Sequence, residues 1–230
     1  MRYLPVSQLK EGMMLGQELQ DASGTMLLER HTRLTKENIS YISFLEVAGI
    51  YIEDDFSRDV EIKEIVYQAV AYMGIGRVFP FLKVTNEVFE AQGIELPLEG
   101  QSTTTTENRR EAGTQAQVDI FGEGMRDFWK SGDDESRHIN LWLADNCFGD
   151  YYTRMGLDYR QREMITFCFL AAQGGCEPQL TAHAAGNMKV GNDKPFLIAV
   201  ISQCLPYIGY PRSLNALRCV NDAAEQFEKN

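Results

Sequence analysis

The stretch that decides the fold runs from Gly156 to Asn221 and reads GLDYRQREMITFCFLAAQGGCEPQLTAHAAGNMKVGNDKPFLIAVISQCLPYIGYPRSLNALRCVN. It predicts three consecutive helices with clear start and stop signals. Asp158 can cap the first helix, and Gln161 three residues later completes a pair like a capping box. That helix is predicted to stop at Gly174 and Gly175.

The second and third helices follow at once. Pro178 falls in the first turn of the second helix, which is predicted to end at Gly191. Asn192 or Asp193 can cap the third helix, and Gly209 is expected to close it. Most of this stretch is therefore expected to be helical.

Three parts of the sequence carry a family resemblance: LDYRQRE, a Cys-x6-His segment, and QCLPYIGYPRSLNAL. Together they resemble the carboxymuconolactone decarboxylase family, whose superfamily also contains the alkylhydroperoxidase D-type thiol reductases. The resemblance covers about residues 114–228. It implies a mainly α fold with an alkylhydroperoxidase D-like helical domain over residues 114–230. It leaves the reaction open, because one scaffold hosts several chemistries.

Residues 1–56 follow a different pattern and predict a small α+β module. Strands are expected at Met13–Gln20 and Thr25–His31 around a turn, and again at Ile50–Ile52. Thr35 is expected to cap a helix that stops at Gly49. This block resembles the accessory module that precedes HD-GYP phosphodiesterase domains. None of the three histidines is followed by Asp, so phosphodiesterase activity is not expected.

An internal repeat connects residues 59–92 with residues 194–227. A shift of 135 positions aligns them without a gap, and duplication explains this better than shared helicity does. Residues 57–92 are therefore predicted to form a helical hairpin, a partial copy of the family unit. The identical pairs include Gln68–Gln203, Tyr72–Tyr207, Gly74–Gly209, Arg77–Arg212, Leu82–Leu217, Asn86–Asn221 and Glu90–Glu225.

Between the hairpin and the family domain, residues 93–113 lack periodicity and contain four consecutive threonines. They are predicted to form an exposed linker. Helices are then expected over Gln117–Trp129 and from about Ser136 to Cys147. The whole chain is thus expected to be mainly α, with a duplicated hairpin and a preceding α+β module.

Composition limits the function classes. The net charge of -11 argues against nucleic acid or an anionic membrane surface as the main partner, since both require basic patches. No signal-peptide-like or membrane-spanning segment is found in the sequence, and five scattered cysteines favour a reducing cytoplasm. No zinc-type spacing or phosphate-binding loop occurs, so no metal or cofactor is expected.

The candidate nucleophile is Cys176, which lies at the start of the second helix. The positive end of that helix dipole is expected to lower the thiol pKa. His183 lies about 10 Å further along the axis at about 1.5 Å per residue, so Gln179 or a water would have to bridge the two. Gln179 stands where the thiol reductases carry a second cysteine. Alternatively, Cys176 and His183 are packing residues.

Glu163 is the candidate relay partner of His183. The family resemblance places a glutamate near this position in a proton relay with the histidine. A buried carboxylate can act as a general acid or base. Equally, Glu163 could form a structural ion pair with Arg160 or Arg212.

Arg212, Tyr207 and Gln179 are candidate substrate-binding residues. Arg212 could bind a carboxylate in bidentate fashion, and Tyr207 lies beside the same turn. However, the repeat retains Tyr72 and Arg77 at the matching positions, which favours a structural role for the pair.

Three functions remain open at this point. The first is a thiol-dependent, alkylhydroperoxidase-like oxidoreductase that uses Cys176 with a Glu163–His183 relay. The second is decarboxylation of a lactone acid by acid–base chemistry at the same relay, and the third is a non-catalytic binding or regulatory protein. The expected partners are a hydroperoxide or lactone acid substrate, an external thiol donor and further copies of the chain.

Overall fold

The chain divides into two compact units. The computed structural model describes residues 2–21, 23–45, 47–53 and 58–227. Residues 1–61 form the first unit and residues 62–230 form the second, because most contacts lie within each unit. The predicted boundary between residues 56 and 57 lies outside the described residues.

The first unit contains two antiparallel sheets. Their strands are β1 (Arg2–Pro5), β2 (Met14–Leu15), β3 (Leu19–Gln20), β4 (Met26–Leu28) and β5 (Gly49–Glu53). Strand β5 lies between β1 and β2, while β3 and β4 form a hairpin of their own. The predicted strand Met13–Gln20 is therefore split, because its two halves pair with different partners. The strand predicted at Ile50–Ile52 is confirmed within β5.

One helix, α1 (Lys36–Phe44), packs in this unit. Thr35 caps it as predicted, and Asn38 completes a capping box. The helix ends at Phe44 rather than at Gly49, which instead begins β5. The buried core of the unit consists of Leu4, Leu15, Leu34, Ile42, Ile50 and Ile52.

The second unit is helical. Its elements are α2 (Arg58–Met73), α3 (Ile75–Ala91), α4 (Arg109–Phe121), α5 (Arg137–Trp142), a π-helix (Leu143–Tyr152), α6 (Tyr159–Gln173), α7 (Glu177–Lys189) and α8 (Lys194–Phe227). None of the helices in the described ranges is both long and apolar enough to cross a membrane. The mainly α fold with a small α+β module is confirmed.

The predicted helix signals around α6, α7 and α8 are confirmed. Asp158 and Gln161 form a reciprocal capping box at the start of α6. Asp193 Oδ1 accepts a hydrogen bond from the Phe196 amide at 2.9 Å and so caps α8. Apolar residues of the three helices form one core: Phe167, Leu170, Ala171, Leu180, Ala184, Leu197, Ile201, Ala216, Cys219, Val220 and Ala223.

The hairpin of α2 and α3 turns at Gly74, where φ is 79°. Its repeat partner Gly209 bends α8 with φ 75°. Both glycines thus occupy the left-handed region that favours glycine. This equivalence supports the proposed duplication.

The segment before α4 lies along the π-helix. Thr103 Oγ1 donates to Thr153 O at 2.7 Å, and Thr104 Oγ1 donates to Gly149 O at 2.8 Å. Helix α4 begins at Arg109, inside the predicted linker, and ends at Phe121 rather than Trp129. Packing against the π-helix thus orders a segment whose sequence lacks periodicity.

The π-helix replaces the second half of the helix predicted from Ser136 to Cys147. It crosses α4 where two glycines meet. A Cβ on Gly113 would lie 2.0 Å from Ala144 O and 2.6 Å from Gly149 N. This close backbone contact holds the π-helix, including Tyr152, against the core.

Candidate active site

A buried carboxylate–imidazole pair joins α6 to α7. Glu163 Oε2 lies 2.8 Å from His183 Nδ1. The Glu163 side chain is fully buried, whereas 11% of the His183 side chain is exposed. The structure thus brings together two of the three predicted catalytic residues.

Backbone contacts fix the two helices at this point. Asn187, one turn after His183, donates through Nδ2 to Glu163 O at 2.9 Å and to His183 O at 2.8 Å. A Cβ on Gly186 would lie 2.9 Å from Glu163 Oε2 and 2.8 Å from the Phe121 ring, so a side chain there would displace Glu163 or Phe121. The geometry of the pair is therefore built into the helix crossing.

The second carboxylate oxygen of Glu163 is bound by a tyrosine of the π-helix. Tyr152 donates to Glu163 Oε1 at 2.7 Å. The Tyr152 oxygen lies 2.7 Å from Thr166 Oγ1 and accepts from Tyr72 at 3.1 Å. Cys147 donates to the Tyr72 oxygen at 3.6 Å. A chain of hydrogen bonds thus ends on Glu163.

Burial keeps the donors of this chain protonated. Burial, followed by the charge of Glu163, raises the pKa of Tyr152 well above its ordinary value. Burial also raises the pKa of Tyr72 well above its ordinary value, and that of Cys147 to about 12. At neutral pH these three groups are therefore neutral donors.

Side chains of helix α2 contact α6 beside the site. Glu64, Gln68 and Tyr72 recur every four residues and so share one face of α2. Gln68 Nε2 donates to Thr166 Oγ1 at 2.8 Å, which leaves the threonine hydroxyl hydrogen for Tyr152. Glu64 pairs with Arg162, whose side chain is fully buried. The predicted hairpin therefore contributes to the site.

The predicted activation of Cys176 is wrong in direction. Cys176 is the N-cap residue of α7 as expected, but its thiol donates to Leu170 O at 3.5 Å. Burial, followed by the charges of Glu177 and Cys219, raises the thiol pKa. Desolvation and a neighbouring carboxylate both disfavour the thiolate. No hydrogen bond between Cys176 and His183 is found among the described residues.

The predicted substrate-binding residues lie apart from the pair. Tyr207 is 89% exposed, and Gln179 and Arg212 are exposed as well. The proposed ion pair of Glu163 with Arg160 or Arg212 is not formed. Arg160 instead binds Asn192 Oδ1 at 3.3 Å.

A cavity of about 310 Å³ is lined by residues that contact the pair, although neither Glu163 nor His183 lines it. Phe121 lines it, and the centroid of the Phe121 ring lies 5.2 Å from that of His183. Gly186, which lies against Glu163, also lines the cavity. Lys189 provides a positive charge there, and none of the described residues that line the cavity is an Asp or Glu. Such a lining suits a small apolar molecule with a carboxylate.

Sequence reasoning missed Tyr152, Tyr72, Thr166 and Lys189. Tyr152 and Tyr72 contact each other across 80 positions, and no local pattern reports such a contact. The four-residue spacing of polar side chains in α2 was the available signal. Within the described ranges, no cluster of three or more His, Cys, Asp or Glu residues could hold a metal ion.

Comparison with known protein families gives a match over the region that contains Glu163 and His183. No curated protein matches the chain. The resemblance of residues 1–55 to the HD-GYP accessory module stays a prediction. Residues 140–222 match the model of the carboxymuconolactone decarboxylase family, and they include the π-helix, α6 and α7. Through this helical region, which carries Glu163 and His183, the chain is similar to the carboxymuconolactone decarboxylase family.

Proposed function

We propose that the helical unit catalyses acid–base chemistry, namely decarboxylation of a small lactone acid. His183 transfers the proton, and Glu163 is the positioning residue that holds it. The observation that carries the proposal is the direction of the hydrogen bonds around Glu163. They leave one nitrogen of His183 available for a substrate.

The direction of the hydrogen bonds around Glu163 follows from which groups donate a hydrogen. The hydroxyl hydrogen of Tyr152 goes to Glu163 Oε1, and Tyr152 oxygen accepts from Tyr72. When Glu163 is ionised, its other carboxylate oxygen can only accept, so it accepts from Nδ1–H of His183, whose Nδ1 lies 2.8 Å away. Neutral His183 then carries its hydrogen on Nδ1 and a lone pair on Nε2.

The Nε2 atom is the reactive position. No hydrogen bond to it is found among the described residues, and part of the side chain is exposed. A carboxylate on the opposite nitrogen orients the imidazole and stabilises the imidazolium that forms when Nε2 takes a proton. His183 can therefore accept a proton from solvent and deliver it to a substrate.

The cavity supports a carboxylated substrate. Lys189 can pair with its carboxylate, and the rings of Phe121 and Phe227 can cover its apolar part. In the reaction the C–C bond to the carboxylate breaks and CO2 leaves. The electron pair passes into the lactone, and the proton from His183 Nε2 neutralises it. Per turnover, one carboxylate and one proton give one CO2 and the protonated product.

Thiol chemistry at Cys176 is less well supported. Its pKa is raised, and its thiol is hydrogen-bonded to Leu170 O. Gln179 stands in place of a second cysteine and is exposed. These three observations favour acid–base chemistry over a mechanism that starts from a Cys176 thiolate.

The test is CO2 release from carboxymuconolactone by the full chain. We expect His183→Gln to lower kcat/KM by about 100-fold or more, since proton transfer by a positioned side chain typically contributes at least this much. Cys176→Ser, the matched control, should keep the wild-type rate. An unchanged rate in His183→Gln would contradict the role of His183, and no CO2 release by the wild type would contradict the substrate class.

A further inference from the structure

Two cysteines outside the candidate active site lie in contact. Cys168 of α6 and Cys204 of α8 have their Sγ atoms 3.8 Å apart, although 36 positions separate them in sequence. Both side chains are half-buried rather than enclosed in the core.

The contact shifts the pKa values of the two thiols in opposite directions. When one sulfur is ionised, the S–H of the other donates to it, so the pair shares one hydrogen. The negative charge of the thiolate is more stable on Cys204, because Cys204 is less deeply buried than Cys168. In the reduced pair Cys204 donates to Cys168. When Cys204 is ionised, Cys168 donates to it instead, which lowers the pKa of Cys204, whereas this contact and burial raise the pKa of Cys168.

The other thiols are less suited to react. Burial raises the pKa of Cys147 to about 12, and the pKa of Cys176 is also raised. Cys219 is buried and donates to Glu177 O at 3.6 Å. A thiolate with a second thiol beside it is the arrangement that dithiol oxidation requires.

We propose that Cys168 and Cys204 form a redox-active dithiol that a small hydroperoxide oxidises to a disulfide between α6 and α8. The Cys204 thiolate attacks one peroxide oxygen, the O–O bond breaks, and an alcohol leaves after taking up a proton. Cys204 is then a sulfenic acid. Cys168 sulfur attacks the Cys204 sulfur, the S–O bond breaks, and the hydroxyl leaves as water with the Cys168 proton.

In total, two thiols and one hydroperoxide give one disulfide, one alcohol and one water. The two electrons come from the two sulfurs. The sulfurs must approach by roughly 1.8 Å to reach the usual S–S bond length of about 2.05 Å. An external dithiol returns the pair to the reduced form by exchange. None of these steps uses Glu163 or His183.

The test uses the fully reduced full chain treated with one equivalent of tert-butyl hydroperoxide. Thiols are counted after denaturation, and linked peptides are identified by mass spectrometry. The wild type should lose two of its five thiols, and the linkage should map to Cys168 and Cys204. Cys168 and Cys176 share a tryptic peptide, so fragment ions that separate them assign the linked residue.

Single variants test the formation of the sulfenic acid and of the disulfide separately. Cys176→Ser, the matched control, should still lose two thiols, whereas Cys204→Ser should form no disulfide. Cys168→Ser should stop at a Cys204 sulfenic acid that dimedone traps. The proposal is overturned if the wild-type linkage involves Cys176, or if one equivalent of hydroperoxide leaves all five thiols intact. The wild-type map decides this even if a variant fails to fold.

Discussion

Replacing Glu64 with alanine is expected to lower the free energy of unfolding by about 3–5 kcal/mol, the usual effect of removing one partner of a buried ion pair. Both Glu64 oxygens accept from Arg154 Nε at 3.0 and 2.9 Å, and Arg162 Nη2 lies 3.3 Å from Oε2. The Arg162 side chain is fully buried, so its charge would lose its carboxylate without gaining water. Urea unfolding of the full chain measures the change.

The matched control for this variant is Glu87→Ala. Glu87 pairs with Lys83 in α3, but both side chains are exposed. Such surface pairs contribute at most about 1 kcal/mol. Equal losses in the two variants would contradict a structural role for the Glu64–Arg162 pair.

The second large effect is expected at the crossing of α4 and the π-helix. Gly113→Ala should destabilise the helical unit by about 3 kcal/mol or more, because the new Cβ would lie 2.0 Å from the backbone oxygen of Ala144. Backbone atoms cannot move aside as a flexible side chain can. Thermal and urea unfolding measure the loss.

Gly76→Ala is the control for this helix substitution. Gly76 lies in α3, and a Cβ there meets no atom within 4 Å. Alanine has the higher helix propensity, so stability should stay the same or rise slightly. If Gly113→Ala is as stable as the wild type, the π-helix does not pack on α4 as described.

The fold was predictable where local chemistry determines it. The capping boxes at Thr35 and Asp158, the start of α7 before Pro178, and the bend at Gly209 all depend on residues close in sequence. The π-helix was not predictable, because its hydrogen bonding depends on packing against Gly113 of α4. The split of the first predicted strand likewise depends on distant pairing partners.

The candidate site was predictable only in part. Glu163 and His183 were found together through the family resemblance, and the structure places them 2.8 Å apart. The lowered thiol pKa expected for Cys176 is not found, because burial and the charge of Glu177 raise that pKa. Tyr152 and Tyr72 lie on elements that only the tertiary fold brings together, so neither the repeat that includes Tyr72 nor the polar spacing in α2 placed them at the site.

The most direct measurement for the proposed mechanism is the tautomer of His183 in the full chain labelled with ¹⁵N-histidine. Among the three histidines, the His183 signals are assigned by their loss in His183→Gln. The acid–base account predicts that neutral His183 carries its hydrogen on Nδ1, held by Glu163, with Nε2 unprotonated. A hydrogen on Nε2, or rapid exchange between the two tautomers as in free imidazole, would contradict it.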